Sequence, residues 1–309
     1  MKILLTVILC TMSMCSMVSQ KTIKRLNAAG VEETWQLSLG DDFNGSSVDT
    51  KKWKVTEGLP RDGYQESSQV WFTKDNIEVS NGVLKLVIKN DTVVDKPFEI
   101  WIKDRMVPLK ASASFTSGEI TAREQTGFGM YEIRCRLPKS RGFNSAFWMY
   151  GEKDGVNNEI DVFEYWDVEG PLKLRYSEKR LCRRQQMTAH YKGRMTLEGD
   201  NSEDMSEGFH IFTCIYDECR IEWWRDGELV RTLYRYEGMR GKGKSCLDFL
   251  KRKKKEPAET VFPRDPMAII ATVTVMKPPH GPEHLNLFPL SMDIDYIRYY
   301  EKVEGNRLK

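Results

Sequence analysis

The stretch Asn158-Glu159-Ile160-Asp161-Val162-Phe163-Glu164-Tyr165-Trp166 sets three carboxylates inside a run that otherwise reads as a buried β-strand. Ionised carboxylates are costly in such surroundings unless they are paired or put to use. Side chains alternate across a strand, so Glu159 and Asp161 share a face, and Glu164 falls on the other face of a regular strand. One extra residue, accommodated as a β-bulge at Val162-Phe163, returns Glu164 to the face of the other two. Hydrolysis of a glycosidic bond with retention needs two carboxyl groups about 5 to 5.5 Å apart, one to attack the anomeric carbon and one to protonate the leaving oxygen. In the bulged run Glu159 and Glu164 are separated by about four extended steps of 3.3 Å, and two long side chains can lean across that gap. Asp161 is then placed to share a hydrogen bond with the attacking carboxylate, while mutual repulsion keeps Glu164 protonated. The competing reading has the acids paired with nearby Arg or Lys, or solvated at a strand end. That reading suits a lone Glu-x-Asp pair; three acids, the one-residue offset and the flanking Phe163, Tyr165 and Trp166 favour chemistry.

A groove wall of this kind needs sheets, and the chain supplies short runs rich in Val, Ile, Phe, Tyr and Trp that alternate apolar with polar residues between Gly, Asn and Asp turns. Residues 76–79 and 83–88 flank Asn81-Gly82, which is hairpin chemistry. Further strands are expected over residues 115–123, 129–137, 145–150, 159–165, 208–215, 220–224, 229–233 and 292–300, with Asp226-Gly227 as another turn. Helical periodicity is scarce, so the fold class is all-β and mainly antiparallel, with strands spaced as in a sandwich. Residues 173–184 and 239–257 interrupt the pattern with clustered Lys and Arg and read as inserted loops or short helices. There is no internal repeat and no low-complexity linker, so one domain is expected over residues 21–309.

Residues 1–20 carry Lys2, then an apolar run, then small and polar residues, which reads as a secretory signal peptide too short to span a bilayer. A secreted or periplasmic location follows. A lipid anchor at Cys10 or Cys15 is disfavoured because Leu9 and Met14 are large where a small residue is wanted. The chain holds 47 basic and 45 acidic residues, and losing the leader removes only Lys2. That balance argues against a dedicated nucleic-acid binder. The remaining cysteines, Cys135, Cys182, Cys214, Cys219 and Cys246, lack metal-ligand spacing and read mostly as buried thiols, with room for a bridge.

The run Glu159-Ile-Asp161-Val-Phe-Glu164 resembles the active-site motif of glycoside hydrolase family 16 in its bulged form; the shorter lichenase form does not match. The resemblance extends over nearly the whole chain: Asp41-Asp42-Phe43-Asn44-Gly45 with Lys52-Trp53, Phe115-Thr116-Ser117-Gly118, Tyr131-Glu132-Ile133-Arg134, Ala146-Phe147-Trp148-Met149 and Met292-Asp293-Ile294-Asp295-Tyr296. It implies a β-jelly roll of two curved antiparallel sheets with a concave substrate groove, Glu159 as nucleophile, Asp161 as its helper and Glu164 as acid/base. It also implies a structural calcium on the convex face, matched by Asp42, Gly45 and Asp295, and no cofactor for catalysis.

Sugar faces stack on aromatics and sugar rims need hydrogen bonds. Trp148 and Trp166 are therefore the leading platform candidates, with Trp71 next and Trp53 and Trp101 weaker; Trp223 and Trp224 point to opposite faces, so one of them belongs to the core. His190 is a candidate contact from a neighbouring strand, and His210 reads as structural. Laminarinase-like members of the family carry Trp-Pro where this chain has Asn144-Ser145. That departure, with Arg61, Arg175, Arg180 and Arg183 as forks suited to sulfate, tilts the expected substrate toward an agar- or porphyran-like β-galactan over a β-glucan. A monomer acting on a polysaccharide, without a nucleic-acid partner or membrane span, is expected. A non-catalytic carbohydrate-binding protein on the same scaffold is the reading from another class, disfavoured by the presence of both glutamates.

Overall fold

The computed structural model describes residues 22–59, 69–102, 105–166, 182–236, 261–276, 281–282 and 284–303. The chain runs through β1 (Thr22–Leu26), β2 (Glu32–Asp41), β3 (Trp53–Val55), β4 (Val70–Phe72), β5 (Ile77–Ser80), β6 (Val83–Ile88), β7 (Val93–Ile102), β8 (Arg105–Ala113), β9 (Phe115–Ser117) and β10 (Glu119–Thr126). It continues through β11 (Gly129–Arg136), β12 (Phe143–Lys153), β13 (Val156–Trp166), β14 (Arg184–Tyr191), β15 (Arg194–Asn201), β16 (His210–Tyr216), β17 (Arg220–Arg225), β18 (Glu228–Tyr234), β19 (Met267–Val275) and β20 (Leu290–Lys302).

Two sheets make the sandwich, as the sequence predicts. One is ordered β15-β14-β13-β12-β19-β10-β3; the other is β1-β2-β20-β11-β16-β17-β18, with β6 also on β20 and β5 on β6. Pairing is antiparallel throughout both sheets. A short parallel pair, β4 with β9, and the hairpin β7–β8 stand apart from them. No helix among the described residues is long and apolar enough to cross a membrane.

Local chemistry sets much of the register. Asn81-Gly82, Asp154-Gly155, Lys192-Gly193 and Asp226-Gly227 all have positive φ at both residues and close two-residue hairpins, the pattern whose twist matches the strands it joins. The turn at Asp154-Gly155 thereby fixes how β13 lies against β12. Two expectations change. The strand expected over residues 115–123 breaks at Gly118, where a Cβ would sit 2.5 Å from Ile77 Cδ1 and 2.8 Å from Asn76 O, so the chain crosses a crowded point between β9 and β10. Arg184, read as the end of a loop, opens β14.

The core lies between the sheets. From β13 it takes Ile160, Val162, Phe163 and Tyr165, which leaves Glu159, Asp161, Glu164 and Trp166 for the opposite, concave face. Phe163 packs on Phe212 of the other sheet with ring centres 4.4 Å apart. Trp223 is in this core and Trp224 is in a small second cluster with Trp35 and Tyr300, so the two indoles do face opposite ways. Trp53 is buried in the main core and its indole N–H donates to Asp41 Oδ2, which removes it as a platform. Cys135, Cys182 and Cys214 are buried free thiols, and Cys219 is disulfide-bonded.

The bulge is real. Phe147 pairs with Phe163 and the next residue, Trp148, pairs with Asp161, so Val162 is the extra residue; on the other side only Met187 separates the partners of Asp161 and Glu164. Val162 and Phe163 both point inward. A bulge takes backbone carbonyls out of the ladder, and a buried carbonyl needs a donor. Here the donors are side chains: Trp223 Nε1 bonds Asp161 O at 2.8 Å across the core, and Gln185 Nε2 bonds Val162 O at 3.0 Å. Arg225 in turn donates to Gln185 Oε1 at 2.9 Å. Trp223→Phe keeps most of the ring but orphans the Asp161 carbonyl, and is expected to cost about 1–3 kcal/mol, read as a lowered midpoint in urea unfolding.

Candidate active site

Because of the extra residue, the five positions from Glu159 to Glu164 span four rungs of β12, from Tyr150 to Ala146, and both glutamates rise from the same face. Asp161 lies between them on that face, 3 % exposed. His190 stands directly across from Glu159 on β14, and its Nε2 is 3.7 Å from Glu159 Oε1 and 3.4 Å from Asp161 Oδ2. Asn158, fully buried, holds the start of this run in place: its Oδ1 accepts the backbone N–H groups of Arg264 and Asp265, and its Nδ2 donates to Asp265 Oδ2.

The electrostatics separate the acids. Burial, and after it the charge of Asp161, raises the Glu164 carboxyl from 4.5 to about 8, against hydrogen bonds from Asn144 and Trp166 and the attraction of His190. Repulsion was the sequence-based reason for keeping Glu164 neutral; burial is the larger cause. Burial also raises Asp161, with the Thr188 hydroxyl opposing. Glu159 keeps a quarter of its side chain exposed to the groove. The arrangement thus sets the partly exposed Glu159 side chain and a protonated Glu164 carboxyl on one wall, which is the equipment for attack at one atom and proton donation to its neighbour.

Trp148 lies on the rung of Asp161, half-buried, its ring edge-on to Tyr150 with centres 6.3 Å apart. Trp166 is half-buried on the concave face, and its indole N–H bonds Glu164 Oε1 at 3.1 Å. Trp71 is 9 % exposed within the β4–β9 pair, too enclosed to offer an open ring to a sugar. Arg183 pairs with Asp204, and Arg61, Arg175 and Arg180 lie outside the described residues. His210 bonds Asp226 at 2.8 Å, in keeping with a structural role.

Two of the three residues expected at a calcium site, Asp42 and Asp295, are held in ion pairs. Asp42 is bound by Arg298 at 2.7 Å and Asp295 by Arg134 at 2.6 Å. Asp42 and Gly45 do line one cavity of about 370 Å³, together with Asp41, Asn44 and Asp49, and Asp295 is absent from it.

Four concave-face residues escaped the sequence reading. Asn144 on β12 donates to Glu164 Oε1 at 3.2 Å. Thr188 and Gln186 on β14 face Asp161 and Glu164, and Thr272 on β19 continues the Glu164 rung beyond Ala146. The alternation Arg184-Gln186-Thr188-His190 was the available signal for two of them, since a strand that carries His190 outward carries the other three with it.

A model of the glycoside hydrolase family 16 domain of β-porphyranases A–D matches residues 35–245. Glucan endo-1,3-β-glucosidase A1 of Niallia circulans is 23% identical over 301 residues, covering 89% of this chain and 38% of that protein. The κ-carrageenase of Pseudoalteromonas carrageenovora is 26% identical over 314 residues, covering 96% of this chain and 72% of that one. Among solved structures, the catalytic domain of an endo-1,3-β-glucanase (laminarinase) from Thermotoga petrophila RKU-1 superposes with a TM-score of 0.62 at 25% identity, over 88% of this chain and all of that one. The chain spans well under half the length of the Niallia circulans relative.

A carboxyl raised from 4.5 to about 8 holds a proton in the folded chain that the unfolded chain releases, so the Glu164 contribution to stability is lost as pH rises through that window. Glu164→Gln keeps the shape and removes the titration. Its melting temperature is expected to match wild type near pH 4 and to exceed it progressively toward pH 9; equal differences at both ends would contradict the protonated carboxyl.

Proposed function

This chain belongs to glycoside hydrolase family 16, and from that premise we propose that it is a retaining endo-β-glycosidase acting on a polysaccharide. Glu159 attacks the anomeric carbon and Glu164 protonates the departing oxygen, then, as a carboxylate, takes the proton of the water that releases the glycosyl-enzyme. Asp161 and His190 orient Glu159 from the same face. Trp148 and Trp166 flank the acids as sugar platforms. One observation carries this reading: the bulge at Val162 brings both glutamates to one wall of the groove. It also weighs against a protein that only binds sugar, which would have no use for a protonated carboxyl poised beside a carboxylate.

For the substrate, we propose a β-galactan of the porphyran or agar kind. The matched domain model is that of β-porphyranases, and Asn144-Ser145 occupies the position of the Trp-Pro of laminarinase-like members. A β-1,3-glucanase is the second reading, supported by the Niallia circulans and Thermotoga petrophila relatives. We further propose that residues 21–309 form one catalytic domain, monomeric and exported by way of residues 1–20.

Reducing-end release from porphyran, agarose, carrageenan, laminarin and mixed-linkage glucan separates these readings: galactan-only release is expected, laminarin-only release would select the glucanase, and no release from any would favour the binding protein. Proton NMR of the first-formed products should show the β-anomer; an α-anomer would overturn the double displacement. Glu164→Ala should lower kcat on the polysaccharide about 10²–10⁴-fold, the range for loss of a general acid. Wild-type activity should fall as pH rises through about 8, where Glu164 loses its proton.

A further inference from the structure

Asn144 and Trp166 reach one and the same oxygen of Glu164 from two strands. They are register partners across β12 and β13, two positions along from the Ala146–Glu164 pair and therefore on its face. Asn144 Nδ2 donates to Oε1 at 3.2 Å and Trp166 Nε1 donates to Oε1 at 3.1 Å. An indole N–H and an amide NH₂ are donors only. They cannot face an O–H hydrogen, so the oxygen they share is held as the acceptor of the neutral carboxyl and the proton resides on Oε2. The torsion that exchanges the two oxygens of a glutamate is broad and nearly two-fold. Without the donors, the acidic proton would spend its time on either side.

We propose that Asn144 and Trp166 are positioning residues that commit the acid proton of Glu164 to Oε2 and fix the carboxyl plane against the scissile oxygen. The proposal rests on Glu164 being the acid/base. It gives the indole of Trp166 a task beyond stacking: a sugar ring laid on it would bear on the same group that aims the proton. It also gives a use to Asn144, at the position where the chain departs from Trp-Pro. Both donors favour the carboxylate over the acid, and burial with the Asp161 charge outweighs them. Losing either donor therefore moves the Glu164 titration further up.

The test compares wild type, Trp166→Phe, Asn144→Ala, the double variant and Glu164→Ala in the full chain. The substrates are the preferred polysaccharide and its oligosaccharide as 2,4-dinitrophenyl and methylumbelliferyl glycosides; melting temperatures monitor folding. Each single variant is expected to lose about tenfold in kcat on the polysaccharide, the effect of one hydrogen bond, with little change in KM. The loss should be much smaller on the dinitrophenyl glycoside, whose leaving group needs no proton, and the alkaline limb of the pH profile should move to higher pH. The double variant should lose less than the product of the singles, since both donors act on one oxygen.

A rise in KM alone, or equal losses on all substrates with an unmoved limb, would overturn the proposal in favour of a platform or packing role. Because Trp166→Phe keeps an aromatic face without the N–H, it tests that donor even if Asn144→Ala fails to fold. Glu164→Ala separates the two layers. If it is rescued on the dinitrophenyl glycoside by azide, with a β-azide product, while Trp166→Phe and Asn144→Ala behave as wild type, only the positioning role falls. If azide gives no rescue and leaving-group ability has no effect, the acid assignment falls and the proposal with it.

Discussion

The concave site depends on the satisfaction of two backbone carbonyls. An extra residue in a central strand is tolerated only if the groups it takes out of the ladder find partners where water cannot reach. Trp223 supplies one from the opposite sheet and Gln185 the other from the neighbouring strand. With those bonds in place, Val162 and Phe163 both fill the core while Glu159, Asp161 and Glu164 turn to the groove. The core is therefore part of how the carboxylates are aimed: the indole that bonds the Asp161 carbonyl belongs to the same packed layer as Phe212 and Phe163.

The same burial that makes the bulge rigid divides the labour among the acids. Burial raises both Asp161, at 3 % exposed, and Glu164, so their neutral forms gain. Glu159 stays open to the groove beside His190. In the proposed double displacement Glu164 keeps the proton that the departing oxygen takes. Burial supplies that protonation against the pull of the donors Asn144 on β12 and Trp166 on β13. On the convex face the opposite solution prevails: exposed carboxylates such as Asp42 and Asp295 are answered by arginines.

Much of this was legible in the chain. Period-two alternation, aromatic and β-branched enrichment, and the Asn81-Gly82 and Asp226-Gly227 turns were enough for an all-β sandwich, because hairpin register is a local property of turn chemistry. The offset of Glu164 by an odd number of positions was enough to call for a bulge, because face is counted along one strand. The strand break at Gly118 was not visible, since its cause is the backbone of Asn76 approaching from elsewhere. Trp53 and Trp71 look like platforms by composition and are enclosed by packing that composition does not encode.

By itself, then, the sequence determined the fold class, the three carboxylates and the need for one extra residue between them, all of which follow from spacing along a single strand. The tertiary structure alone decided which side chains complete the site. That Asn144, Thr188, Gln186 and Thr272 surround the acids, that His190 spans Glu159 and Asp161, and that Trp223 secures the bulge are matters of pairing between segments far apart in the chain. Burial decided the charge state of Glu164 for the same reason: dielectric surroundings are set by everything packed around a group, and no reading of its sequence neighbours contains them.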